Sequence, residues 1–224
     1  MKTRRLGGLM VSVCAACLIL YPSNRLLSQQ FSIGPQVVFG DYREVSADLH
    51  YRGTGAGATA SVIWKKLGGE VTISKIKYAP ADDGTATQEF DARELDVRLR
   101  YYVSGPVSAE VGFVNREADP EFEAQSLGAI TAGARMAYLL GPGVHMDLNG
   151  GLLFGPRFSG GGKTGPLGAF VLGLGLTVDA LHGRLQFTGD YDFQRITRKT
   201  DDGSGELTVP IQQAVGRVGI AVTF

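Results

Sequence analysis

From residue 31 to its last residue the chain alternates. Ten segments place apolar side chains at every second position, running approximately Phe31–Asp41, Gly55–Trp64, Glu70–Ala79, Glu94–Val103, Val107–Asn115, Gly128–Leu139, Val144–Pro156, Leu167–Asp179, Arg184–Gln194 and Pro210–Phe224. Side chains on a β-strand point to opposite faces with period 2, so each segment reads as a strand with one apolar and one polar face. The fourth sets Leu95, Val97, Leu99, Tyr101 and Val103 against Glu94, Asp96, Arg98, Arg100 and Tyr102. The ninth sets Leu185, Phe187, Gly189, Tyr191 and Phe193 against Arg184, Gln186, Thr188, Asp190 and Asp192. After residue 28 no stretch carries a helical stripe or is long enough to span a membrane as a helix. The 32 glycines are spread through the apolar segments, where they would break helices but suit bends and close packing.

The N-terminus differs from everything after it. Lys2, Arg4 and Arg5 precede an apolar run from Leu6 to Tyr21, which is the pattern of a secretory signal. The expectation is a signal peptide over 1–28, cleaved after Ser28, and one domain over 29–224. Cys14 and Cys17 both fall in the signal and neither follows the Leu-small-small pattern of lipidation, so the mature chain is expected to have no thiol, disulfide or Cys-based metal site. Without Lys2, Arg4, Arg5 and Arg25 the balance becomes 18 basic against 22 acidic residues. That mildly acidic balance argues against a nucleic-acid partner, whose phosphates call for a basic face.

The connections alternate in length. Lys65–Gly69, Ser104–Pro106, Gly141–Gly143 and Ala180–Gly183 are short; Tyr42–Thr54, Pro80–Arg93, Arg116–Leu127, Arg157–Pro166 and Ile196–Val209 are longer and polar. One end of the molecule therefore has tight turns and the other long loops. Aromatic residues mark both rims: Phe31, Trp64, Tyr101, Tyr138 and Phe224 near the turns, and Phe39, Tyr78, Phe113, Phe154, Phe170, Tyr191 and Phe193 near the loops. Segments of about ten residues, short turns at one end, long loops at the other and two aromatic girdles are the layout of a transmembrane barrel. The third segment fits badly. Val71 and Ile73 define one face, Lys75 and Lys77 then follow on it, and Ile76 and Tyr78 take the other; a bulge that switches phase or lysines that snorkel would each account for it.

The final residues Arg217-Val-Gly-Ile-Ala-Val-Thr-Phe224 put Val218, Ile220, Val222 and Phe224 on one face and end on the aromatic ring. This is similar to the C-terminal signal of bacterial outer-membrane β-barrel proteins, and nearly the whole of 29–224 resembles the small members of that family. The resemblance implies an all-β, transmembrane antiparallel up-and-down barrel of about ten strands, with eight strands and a differently packed N-terminal hairpin as the alternative. It implies a monomer exported to the bacterial outer membrane and inserted by the barrel-assembly machinery, with outer-membrane lipid around it. Arg217, Gly219, Val222 and Phe224 then carry the assembly signal.

Candidate chemistry is sparse. Gly53-Thr-Gly55-Ala-Gly-Ala58 opens no helix, and Gly162-Lys163-Thr164 has Arg157 where a phosphate loop needs its first glycine, so no nucleotide, cofactor or metal site is expected. The polar faces hold Glu94, Asp96, Arg98, Arg100, Glu110, Arg135, Asp147, Arg184, Asp190, Asp192 and Arg217. In so narrow a barrel these charges read as a salt-bridged interior of a non-enzymatic surface protein, with a polar pore as the alternative. A third reading joins Asp48 and His50 with Asp190 and Asp192, the residue types of the outer-membrane proteases called omptins, although their order along the chain is reversed. The acidic residues Asp82, Asp83, Glu89 and Asp91, and Glu117, Asp119, Glu121 and Glu123, read as solvated loops, with weak Ca²⁺ or Mg²⁺ bridging to lipid headgroups as the alternative. Asp82-Asp83-Gly84 and Asp201-Asp202-Gly203 read as turns.

Overall fold

The computed structural model describes residues 29–122, 124–201 and 205–224. The segment 1–28, read above as a signal, with its two cysteines, Glu123, and Asp202-Gly203 lie outside the described residues. Ten strands follow one another: β1 (Gln30–Glu44), β2 (Leu49–Trp64), β3 (Leu67–Pro80), β4 (Phe90–Ser104), β5 (Val107–Asp119), β6 (Leu127–Gly141), β7 (Val144–Phe158), β8 (Lys163–Ala180), β9 (Leu185–Asp201) and β10 (Glu206–Thr223). Each pairs antiparallel with its neighbours in sequence, and β1 pairs with β10 to close the barrel. The eight-stranded alternative does not occur, because β1 and β2 pair in continuous register from Gln30↔Ile63 to Glu44↔Leu49.

Every strand except β9, which starts at Leu185, and β10, which stops at Thr223, reaches or exceeds its expected limits, and the excess lies mostly at the loop end. β2 starts at Leu49 instead of Gly55, β4 at Phe90 instead of Glu94, and β9 runs on to Asp201. Most of the expected long-loop residues are thus strand, and the connections shrink to 45–48, 81–89, 120–126 and 159–162, while β9 ends at Asp201 and β10 begins at Glu206. The alternation does continue there, but with its faces exchanged. On β10 the outward residues are Val218, Ile220, Val222 and Phe224, and the inward ones Arg217, Gly219 and Ala221. Above Arg217 the inward residues become Val215, Ile211 and Val209, while Gln212 and Glu206 turn outward. β1 exchanges faces between Phe39, which is outward, and Tyr42, which is inward and buried.

The lower outward face is an apolar belt. Leu99, Ile130, Val218, Ile73 and Leu172 are each more than half exposed, with Phe31, Trp64, Tyr101, Phe113, Phe154 and Tyr191 in the same surface. Along β4 the belt runs from Leu95 to Val103, roughly 27 Å of strand at ~3.4 Å per residue. At a tilt of about 40° that is roughly 20 Å of height, close to the ~25 Å band of transmembrane barrels. In water such a surface would aggregate; in lipid it is solvated. The short-turn end closes with Lys65-Lys66, Gly105-Pro106, Pro142-Gly143 and Leu181–Arg184, where Gly105 and Gly143 adopt the positive φ that tight hairpins require.

The third strand holds no bulge. Its pairings with β2 and β4 are uninterrupted, so the phase never switches. Lys75 and Lys77 stand above the belt on the outer face and meet Asp91 (2.6 Å) and Glu89 (2.7 Å). Ile76 and Tyr78 point inward into the upper core. Tyr78 is therefore not part of the loop-end girdle.

Candidate functional site

The interior has two storeys. The upper one is apolar and aromatic. Tyr42 on β1, Tyr51 on β2, Tyr78 on β3 and Phe90 on β4 all turn inward, and the Tyr78 and Phe90 rings stack with centroids 4.8 Å apart. Tyr51 meets Phe90 edge-on at 5.1 Å. The connection 120–126 folds down into the mouth and brings Phe122 to 6.0 Å from Phe90, with Ala124 and Gln125 fully buried. Arg116 holds that connection: its Nε donates to the Gln125 carbonyl at 2.6 Å and its guanidinium lies over the Tyr42 ring. Val38, Ile76, Leu127, Ile196 and Ile211 fill the remaining space. Arg198 closes the far side, lying over Phe158 and donating to the carbonyls of Gly160 and Gly161 at 2.9 Å each.

The lower storey is ionic. Asp192 Oδ2 accepts from Arg217 Nη1 at 2.7 Å and from Arg98 Nη2 at 3.1 Å. Arg98 also grips Asp96 (2.6 Å), and Arg217 reaches Glu94 (3.2 Å), which accepts a longer bond from Gln213. β4, which carries Glu94, Asp96 and Arg98, and β9, which carries Asp192, stand five strands apart in either direction around the ring. This chain of charges therefore crosses the whole lumen. A second group runs along the wall: Arg100 bonds Glu70 (2.7 Å) and Glu110 (2.9 Å), and Glu110 also takes Arg135 (3.0 Å). Beneath the crossing lies a cavity of about 210 Å³ that reaches down to Ile63, Pro106 and Ala137 at the turn-end rim. Asp147 and Asp190 line it without joining either group.

Most of the inward charges read from the sequence meet in these two groups. Arg184 does not; it lies exposed in the turn before β9, because the alternation of β9 begins at Leu185. Glu70 and Gln213 belong to the groups and were missed. The signal for Glu70 was present, since it shares parity with Thr72 and Ser74, but the lysine misfit obscured the faces of β3. The assembly residues divide. Arg217 is in the crossing and Val222 is in the belt. Gly219 packs so tightly that a Cβ there would lie 2.7 Å from the Pro35 carbonyl oxygen. Phe224 bonds its backbone to Phe31 (2.8 and 3.3 Å) and sets its ring 6.1 Å from the Phe31 ring, closing the seam at the turn end.

Asp48 and His50 are not brought to Asp190 and Asp192. Asp48 ends a 3-10 turn at positive φ. His50 has outward parity, yet it is 3% exposed because the connection 81–89 folds over it. Its Nε2 meets Asp41 at 2.9 Å and its Nδ1 meets Asp83, while Ala81 N donates to the His50 carbonyl at 2.9 Å and Thr85 N to the Asp48 carbonyl at 2.8 Å. The His50 hydrogen bond holds the Asp83 carboxyl below the usual carboxylate range. This cluster sits on the outside of the loop-end rim, whereas Asp190 and Asp192 face the lumen.

No protein-family model matches the chain, and no curated protein does. Among solved structures it is similar to the outer membrane protease OmpT of Escherichia coli, at 8% identity over 88% of this chain and 96% of that one, with a TM-score of 0.49. It is similar to Neisserial surface protein A, at 10% identity over 87% and 97%, with a TM-score of 0.41. A major outer membrane protein of Thermus thermophilus aligns at 14% identity over 88% and 100%, with a TM-score of 0.39. No residue role transfers at these identities.

Proposed function

We propose that this chain is a monomeric, integral protein of the bacterial outer membrane, without enzymatic activity and without an open pore. Its role is structural or is exercised through its loop-end surface. The observation that carries this reading is the crossing of the lumen by Asp96, Arg98, Asp192, Arg217 and Glu94, under a packed roof of rings. A solute following the barrel axis meets paired charges and then a dry aromatic core, and neither yields without loss of burial or of ion pairing. The membrane placement is supported by the apolar belt, the closed sheet and the C-terminal pattern ending at Phe224. The N-terminal segment supports export, insertion is assigned to the barrel-assembly machinery, and outer-membrane lipid covers the belt. Both termini then lie on the periplasmic side, with the turns.

The test is single-channel conductance of the refolded barrel in a planar bilayer across salt concentrations. A silent bilayer with verified insertion is expected. Reproducible steps that change when Arg98 or Arg100 is substituted would replace this reading with that of a small passive channel. The turn-end cavity is the observation that favours that second reading.

A further inference from the structure

We infer that the outer wall over β5 to β9 is the docking site of one phosphate-bearing lipid. Its chain lies in a groove over Gly128, and its headgroup is held by Arg157, Lys163, Arg195 and Lys199. This rests on the membrane placement proposed above and deepens it, since it names the headgroup the wall prefers and the sector that holds it.

The first observation is a dip in the wall where the apolar belt ends. Phe113 on β5, Ile130 on β6 and Phe154 on β7 stand side by side in register at the loop-end margin of the belt. The next row up is Asn115, Gly128 and Arg157. Gly128 has no side chain, and the register with β7 shifts between Gly128 and Ile130. An open groove of about 810 Å³ results, with Phe113, Ile130 and Phe154 at its lower margin and Arg157 on its upper bank. That is within the ~300–1,000 Å³ of ligand clefts. A ligand that fills it is apolar below and anionic above.

The second observation is positive charge without counter-charge beside the groove. Arg157 and Lys163 flank the 159–162 connection, Lys163 pairs in register with Lys199, and Arg195 shares the outward face of β9 with Lys199. All four are exposed. Lys199 meets Glu206 at 2.6 Å, whereas the side chains of Arg157, Lys163 and Arg195 form no ion pair or hydrogen bond among the described residues. Like charges directly opposite one another on a sheet repel, so Lys163 and Lys199 favour an anion between them. The far side of the rim is different: Arg43, Lys75 and Lys77 each have an acid beside them on the same surface, Asp41, Asp91 and Glu89.

The third observation is depth. Arg195 pairs in register with Phe170, whose ring lies 6.2 Å from that of Phe193. Rings at the end of an apolar belt mark the membrane–water interface, so the cations begin at the level of lipid phosphates. β7 and β9 are two strand spacings, about 10 Å, apart, which lets long Arg and Lys side chains converge on one headgroup. A soluble anion would meet the cations and leave the groove empty of anything apolar. A choline headgroup would bring a second cation into a sector that already has too many.

The experiment counts lipid retained by the refolded barrel, released from zwitterionic detergent micelles into native mass spectrometry, as the mole fraction of dioleoyl phosphatidic acid is raised. Saturation at one phosphatidic acid per barrel is expected, with dioleoyl phosphatidylcholine giving no saturable retention. Arg157→Ala, Lys163→Ala and Arg195→Ala should each raise the half-saturating fraction about fivefold, since a cation at an anionic lipid surface contributes ~1 kcal/mol. Lys77→Ala, on the far side, leaves it unchanged. Gly128→Leu changes no charge and fills the groove; a Cβ there meets nothing nearer than Asn115 Oδ1 at 3.6 Å, so the fold accepts it, and retention should fall at least as far. Heat-modifiable mobility verifies that each variant is folded. The reading is overturned if phosphatidylcholine is retained as tightly, if the three alanine variants bind as the wild type does, or if Gly128→Leu retains the lipid unchanged. Displacement of the lipid by excess inorganic phosphate would also overturn it, in favour of a site for soluble anions. A conducting barrel that keeps the preference fails the closed-lumen reading alone. An inserted, silent barrel without the preference fails this inference alone, and a barrel that does not insert fails the membrane placement itself.

Discussion

At Asp192 one carboxylate oxygen serves two guanidiniums from different strands. Removing it leaves Arg98 with Asp96 alone and Arg217 with Glu94 alone, both within the lumen. Breaking a buried pair costs about 3–5 kcal/mol when the remaining charge has no other partner, and here each guanidinium keeps one carboxylate. Asp192→Ala is therefore expected to lower stability by less than that, read as a fall in the urea midpoint at unchanged slope. Asp190→Asn, two residues away on the same face, breaks no ion pair and is expected to cost far less. Equal losses at both positions would mean that the crossing contributes nothing beyond burial. The parity of these residues was legible, since Asp190 and Asp192 share a face in any straight strand. Their different fates were not, because they depend on what the opposite wall of the barrel places against each.

At the scale of elements, the 81–89 connection is more than a solvated acidic loop. It is tied to β2 through Ala81, Thr85 and the His50–Asp83 contact. The carboxyl of Asp83 titrates lower in the folded protein than in the unfolded chain. Its contribution is thus fully present above the ordinary carboxylate range and is lost as pH falls through the depressed value. Hydrogen-exchange protection at Ala81 and Thr85 should hold at neutral pH and disappear below about pH 4. His50→Ala should remove it at neutral pH as well; unchanged protection in that variant would show that the backbone bonds alone hold the loop. Strand existence was legible for all ten elements, while their loop-end limits were not. The reading sought apolar residues on one constant face, and Tyr51, Phe90, Ile196 and Val209 appear on the other face once the strands pass the belt. The Lys75, Ile76, Lys77, Tyr78 misfit was the visible trace of that exchange.

For the whole molecule, closure depends on a seam between the first strand and the last, and Phe224 is its final stitch. Deleting Phe224 removes two backbone bonds, a ring contact and the end of the C-terminal pattern. The expected outcome is loss of most membrane-inserted protein, measured by heat-modifiable mobility of outer-membrane fractions; normal yield would show that the terminal pattern does not guide assembly.

What the sequence determined by itself was the period: side chains alternate by covalent geometry, so ten strand-like segments and the asymmetry of their ends follow from local order alone. What only the tertiary structure decided was which residues meet across the ring. The crossing from β4 to β9 and the roof of rings join positions far apart in the chain. Their contacts depend on strand number, tilt and closure, none of which any single segment encodes.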